Sequence, residues 1–350
     1  MRRASAGVSL VQARLRRTLD GRRRMGEATD LLPAVLQEVV GQAGVAGATE
    51  WVLQGVHLSG TQVVVMMVGP SGEPATAVVK MPATPDGVAS QRREAEAVTG
   101  LRATLEAGSS ASTLSALIPV RLAEGEVGGV AYTVERAVPG VEGRVLLRYP
   151  STKDKVVAAA AGVARELHRS TATRAIVGET LLRRWVDDRA RLLGPATRNT
   201  AALERLERLL RQTLGGREVT TSWVHGDFWP ANVIFDPDTE GERLAVSGVI
   251  DWEWAAGDEL PAQDLLYLLL HMRMVAEGRE LGPILVSLLT GDPLSAAERE
   301  LLEPEGLRAD RETILLVWLR HVAYNLIQSP SEARNWVWTS RNIDTVLHLL

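Results

Sequence analysis

The 350-residue chain has no cysteine, so disulfides and thiolate-held metals are excluded from its chemistry. It has only three lysines, Lys80, Lys153 and Lys155, and arginine carries the rest of its basic charge. No apolar run approaches the roughly 18 residues that cross a bilayer, so no transmembrane segment is expected. The apolar stretch of a secretory signal does not follow the N-terminal arginines either. A net charge of −4 gives no global argument for nucleic acid, and none is expected as a partner. Internal repeats and low-complexity linkers are also missing. What remains is 45% hydrophobic and 23% charged, the composition of a globular chain long enough for two cores. The expected compartment is the cytoplasm, and the oligomeric state is not legible.

The most informative stretch runs from Trp223 to Trp254. It spaces Asp227, Asn232 and Asp251 as a phosphoryl-transfer site does. Such a site needs a carboxylate to take the proton of an attacking hydroxyl, an Asn oxygen for a metal, and a second Asp for that metal. Val233-Ile234-Phe235 and Leu244 to Ile250 read as strands, with Asp236 to Gly241 as the turn. That hairpin returns Asn232 and Asp251 to one end of a ribbon, as a shared Mg²⁺ requires. Asp236 and Asp238 read as turn formers, His225 as a support of the loop, and Trp223, Trp252 and Trp254 as packing aromatics.

Ahead of this stretch, residues 1–48 form a basic extension with eight arginines in its first 24 positions. Val8, Val11, Leu15 and Leu19 recur at helical spacing. Two readings stay open for it, a contact surface and a solvated helix. Leu31 to Val40 reads as a second helix capped by Asp30. From Trp51 the period changes. Thr61 to Val68 and Ala75 to Met81 read as a β-hairpin, and Lys80 ends its apolar second strand. A lysine there is how a kinase reaches the α and β phosphates. Gln54 to Gly60 lacks the Gly-x-Gly-x-x-Gly of protein kinases. Ser90 to Leu105 is helical, and Gly129 to Glu135 is a strand broken before Pro139-Gly140. Beyond it the pattern is mainly helical, over Val156–His168, Leu181–Leu193, Ala201–Leu214, Leu265–Met274, Ile284–Leu289 and Ile314–Ile327.

His225-Gly226-Asp227 with Pro230-x-Asn232, Ile250-Asp251-Trp252-Glu253, and Gly257-Asp258 followed by Asp264-Leu265-Leu266 resemble three ordered motifs of one family. It is the aminoglycoside phosphotransferase and choline kinase-like family, and the resemblance covers residues 50 to 275. Ala77-Val78-Val79-Lys80 is similar to the kinase Val-Ala-Ile-Lys strand. The resemblance implies an α+β, two-lobed protein-kinase-like fold. Its small β-rich N-lobe would span 49–136 and its larger helical C-lobe 137–350. It implies ATP and Mg²⁺ as cofactors, Asp227 as catalytic base, and Asn232 and Asp251 as metal ligands. Lys80 would meet the phosphates with Glu94 as its acidic partner. The backbone of Glu135 to Ala137 would act as the adenine-contacting hinge, and Asp264 would brace the loop. His168 matches the family's Leu-His helix end and is expected to be structural.

The expected activity is ATP-dependent transfer of the γ-phosphate to a hydroxyl of a small molecule: a sugar, aminocyclitol, aminoglycoside or related metabolite. A protein acceptor is disfavoured by the short segment from Asp251 to Asp264. Asp187, Asp188, Glu253, Asp258 and Glu259 are candidate acids for a cationic acceptor. Phe228, Trp229, Trp318, Trp336 and Trp338 are candidate aromatic platforms. The alternative from another class is a non-catalytic nucleotide-binding module acting through its N-terminal extension.

Overall fold

The computed structural model describes residues 4–43, 45, 47–60, 62–108, 111–236, 244–291, 294–302, 310–329 and 334–350, and side chains from Asp20 onward within the first helix. The turn expected at 237–241 and the side chains of Val8, Val11, Leu15 and Leu19 lie outside the described residues. Backbone contacts divide the chain into two units, residues 1–93 with 119–139 and residues 94–118 with 140–350.

The first unit is an antiparallel five-stranded sheet with a helix packed on it. Strands β1 (Val52–Leu58), β2 (Val63–Gly69), β3 (Ala77–Pro82), β4 (Arg121–Val127) and β5 (Val130–Arg136) lie in the order β1-β2-β3-β5-β4. Val64, Met66 and Val68 alternate inward on β2, as do Ala77, Val79 and Met81 on β3. Helix α1 runs unbroken from Ala4 to Ala43 with Pro33 inside it. The expected second helix capped by Asp30 is therefore the C-terminal part of a longer one. Ala28, Leu32, Val35, Leu36 and Val39 recur on one face and share a core with the sheet. That burial outweighs the hydrogen bond that Pro33 removes. Tyr132 on β5 fastens the helix, donating to Glu38 at 2.6 Å and accepting from Gln42 at 3.3 Å. Burial and the Glu38 carboxylate push its hydroxyl up to about 12.

The division falls within α2 (Pro85–Ala107), whose Leu101 and Leu105 join the core of the second unit. Two small sheets in that unit carry the loops of interest. One orders β10 (Val246–Val249), β9 (Val233–Phe235) and β6 (Val141–Glu142). The other orders β11 (Ala256–Glu259), β8 (Glu218–Val224) and β7 (Thr173–Ile176). Around them pack α3 (Lys153–Ser170), α4 (Thr200–Leu214), α5 (Ala262–Glu277) and α6 (Arg311–Gln328) with several shorter helices. Asn199 caps α4 through the Ala202 N–H at 3.2 Å. The expected Leu181–Leu193 helix is interrupted by a π turn at Arg183–Asp187. Among the described residues no helix is long and apolar enough to cross a membrane.

Candidate functional site

The loop from His225 to Asn232 leaves buried β8 through a position that only glycine occupies without conflict. Gly226 has φ +85°, and a Cβ there would stand 2.2 Å from the Trp254 carbonyl and 2.4 Å from Arg320 Nη2. Asp264, in the first turn of α5 and 1% exposed, organises this bend. It accepts the His225 and Gly226 N–H groups, each at 2.8 Å, and lies 3.1 Å from His168 Nε2. Burial alone would raise its pKa. Hydrogen bonding and charge from His168, with help from His225 and Gly226, outweigh burial and hold it below the usual carboxylate range. His225 is wholly buried and bridges two backbone groups. Its Nε2 meets the Ile250 carbonyl at 2.9 Å, and its Nδ1 accepts the Asp227 N–H at 3.3 Å. Burial lowers its pKa. It supports the loop as a neutral ring.

Asp227 carries its carboxylate into a low-dielectric setting. The Asn232 amide nitrogen donates to its backbone carbonyl at 2.9 Å and to Oδ2 at 3.3 Å. Tyr267, the residue one helical turn after Asp264 on α5, also donates its hydroxyl to this carboxylate. Burial raises the Asp227 pKa, opposed by His225, Asn232, Tyr267 and Arg320. Burial and the neighbouring carboxylate push the Tyr267 hydroxyl well up. Arg320 on α6 donates to the Gly226 and Trp254 carbonyls at 2.7 and 2.8 Å, tying the loop to the segment after Asp251.

The hairpin β9–β10 pairs Val233 with Val249, and the Ile250 N–H bonds to the Asn232 carbonyl at 2.9 Å. Asn232 and the turn carrying Asp251 are thereby fixed side by side. Asp251 has φ +66°, a left-handed conformation that Asp tolerates better than most residues. With the Asn232 nitrogen committed to Asp227, its amide oxygen is left as the acceptor. That oxygen and the Asp251 carboxylate are hard donors of the kind that could hold Mg²⁺.

In the first unit, Lys80 pairs with Glu135 at 3.0 Å, both side chains largely buried. Glu135 was expected to contribute only its backbone. The Gln91 amide holds the Lys80 carbonyl at 2.8 Å. The Arg136 N–H bonds to the Val120 carbonyl at 2.8 Å and the Ala137 N–H to that of Thr76 at 3.0 Å. The Ala137 N–H is thereby committed within the sheet. Glu94, buried on α2, falls in the second unit.

Tyr267 and Arg320 escaped the sequence reading. A buried tyrosine one turn after Asp264 was the available signal for the first, because its hydroxyl needs a partner. No local pattern pointed to Arg320. Four of the acids offered for a cationic acceptor are matched by arginines: Asp187 with Arg211 at 2.6 Å, Asp188 with Arg191 at 2.8 Å, Glu259 with Arg189 at 2.6 Å and Asp258 with Arg184 at 3.8 Å. Phe228 and Trp318 are core residues, and Trp336 is 71% exposed. Trp229 packs on His271 with ring centroids 4.4 Å apart.

The sequence matches the phosphotransferase enzyme family (APH) over residues 64–300. Comparison with curated proteins gives no match. Among solved structures, the aminoglycoside phosphotransferase APH(3'')-Id of Streptomyces rimosus superposes with a TM-score of 0.50 at 19% identity, over 83% of this chain and 97% of that one. The same enzyme in complex with ADP and streptomycin gives 0.50 at 20% identity, over 84% and 98%. A choline kinase from Cryptosporidium parvum gives 0.50 at 11% identity, over 91% and 94%. At these identities the likeness speaks for the fold. The family match takes in well over half of the chain, with Lys80, Asp227 and Asp251 inside it, and so the protein belongs to the aminoglycoside phosphotransferase and choline kinase-like phosphotransferase family, with its protein-kinase-like fold.

Proposed function

We propose that the protein is an ATP-dependent O-phosphotransferase that moves the γ-phosphate to a hydroxyl of a small molecule, a sugar, aminocyclitol, aminoglycoside or related metabolite. The observation that carries this reading is the half-buried Asp227 carboxylate, aimed by the Asn232 amide and the Tyr267 hydroxyl. Asp227 orients the acceptor hydroxyl and takes its proton as the oxygen attacks phosphorus. Its raised pKa makes it a stronger base than an exposed Asp. Asn232 and Asp251 are the residues to hold Mg²⁺, which when bound neutralises charge on the phosphates. Lys80, steadied by Glu135, faces the α and β phosphates. Glu94 and the Ala137 carbonyl keep nucleotide-side roles on the strength of the sequence resemblance. Positioning and charge carry most of such a reaction, because the protein forms no bond to the phosphoryl group.

The test is ADP release with Mg²⁺ and ATP across a panel of sugars, aminoglycosides, aminocyclitols and amino alcohols. Asp227→Asn is expected to cut turnover at least ~1,000-fold while Mg-ATP affinity stays within a few-fold. Turnover that survives the substitution overturns the assignment of Asp227. A chain that binds nucleotide and phosphorylates no hydroxyl compound is the binding module instead.

A further inference from the structure

Along α5, the residues Asp264, Tyr267, His271 and Met274 fall on one stripe that starts at the catalytic loop. Tyr267 bonds to Asp227. His271 lies between Trp229 and Tyr267, with ring centroids 4.4 and 6.1 Å away. From α6, the His321 ring packs 4.4 Å from that of Tyr267, and the Asn325 amide nitrogen is 2.8 Å from His321 Nε2. His321, Asn325 and Met274 then line a cavity of about 130 Å³ with Glu280, Trp338 and Asn342. One aromatic side chain thus separates the proposed base from a small polar-and-aromatic cavity.

This wall is poor in charge. The Asn325 amide donates to His321 Nε2, which leaves that nitrogen unprotonated and the ring neutral. Burial pushes His321 down to about 3 and His271 to about 4, in keeping with uncharged imidazoles. Glu280, the carboxylate on the cavity, is taken by Asn342 and by Arg341 at 3.0 Å. Arg320 sits 4.5 Å over the Tyr324 ring, which stacks on Trp254. A polycation brought here finds four of the five candidate acids already matched by arginines, and the Asp227 carboxylate is engaged by Asn232 and Tyr267. Aromatic faces beside imidazole and amide groups suit a ring with apolar C–H faces and hydroxyl edges.

We propose that the acceptor is an uncharged, hydroxylated ring compound, seated on the wall formed by Trp229, Tyr267, His271, His321 and Asn325. The proposal rests on the kinase reading above and narrows its acceptor. The test uses matched pairs, a neutral cyclitol or hexoside and its diamino analogue. They are titrated calorimetrically into the full chain with Mg²⁺ and a non-hydrolysable ATP analogue, and then assayed for ADP release with ATP. The neutral member is expected to bind at least ~10-fold tighter. His271→Glu, which plants a carboxylate on this half-buried face, should erode that preference at least ~10-fold, and His271→Gln should keep it. Diamino analogues that bind as tightly as their neutral partners overturn the proposal. So does binding of neither member, or a preference unmoved by His271→Glu. A neutral preference without Asp227-dependent transfer on any compound overturns the kinase reading and leaves the seat standing.

Discussion

Asp264 and Gly226 show how few atoms set the loop from His225 to Asn232. Both N–H groups of the bend end on one buried carboxylate, so Asp264→Ala strands two donors away from water. Each costs about 1–3 kcal/mol, and an unfolding free energy lower by about 3 kcal/mol is expected from urea denaturation. Gly226→Ala meets the Trp254 carbonyl and Arg320 at distances no Cβ tolerates, and a similar loss is expected in the same measurement. Tyr267→Phe is a finer probe. It keeps the ring against His321 and removes the donor to Asp227. Steady-state kinetics should show kcat/KM about tenfold lower, with stability changed by about 1 kcal/mol or less. A larger fall in stability than in rate would make Tyr267 a packing residue only.

At the scale of elements, α1 and the β9–β10 hairpin do unlike work. The hairpin needs few residues, because the Val233–Val249 pair and the bond from Ile250 to Asn232 suffice to set Asn232 and the Asp251 turn side by side. The helix needs many. Its stripe from Ala28 to Val39 supplies five of the sixteen buried residues of the first unit's core, which makes it part of the fold rather than a tether. Leu36→Ala is expected to cost about 2–4 kcal/mol by urea denaturation, as for any well-packed core leucine. A cost below about 0.5 kcal/mol would mean that the helix is not docked.

At the scale of the whole molecule, the buried histidines set an acid limit. His271 and His321 have folded values near 4 and 3, far below the usual 6.5. The unfolded chain therefore binds protons that the folded chain refuses between those values. Stability is fully present above about 6.5 and is lost as pH falls toward 4 and then 3. Glu298, held near 2 chiefly by its hydrogen bonds to Arg273, adds a loss below about 4.5. The melting temperature of wild type should fall steadily from pH 6.5 to 4. A His271→Gln, His321→Gln double variant should follow a flatter curve over that range. Parallel curves would show that neither ring is held neutral by the fold.

Local pattern alone determined the three spaced motifs, the strand that carries Lys80, the succession of helices after Pro139 and, through the resemblance, the kinase-like fold. Strand alternation, helical stripes and turn chemistry are set by residues a few positions apart, and so they survive in a bare sequence. The tertiary structure decided what lies far apart in the chain. Arg320 reaches back 94 residues to Gly226 and His168 forward 96 to Asp264. Glu135 takes Lys80 because β3 and β5 are neighbours in the sheet, pairing Val78 with Glu135. Helix α1 runs through Pro33 because the sheet buries its face. Each of these depends on a contact that only the folded chain closes, and the energy of such a contact leaves no periodic trace along the sequence.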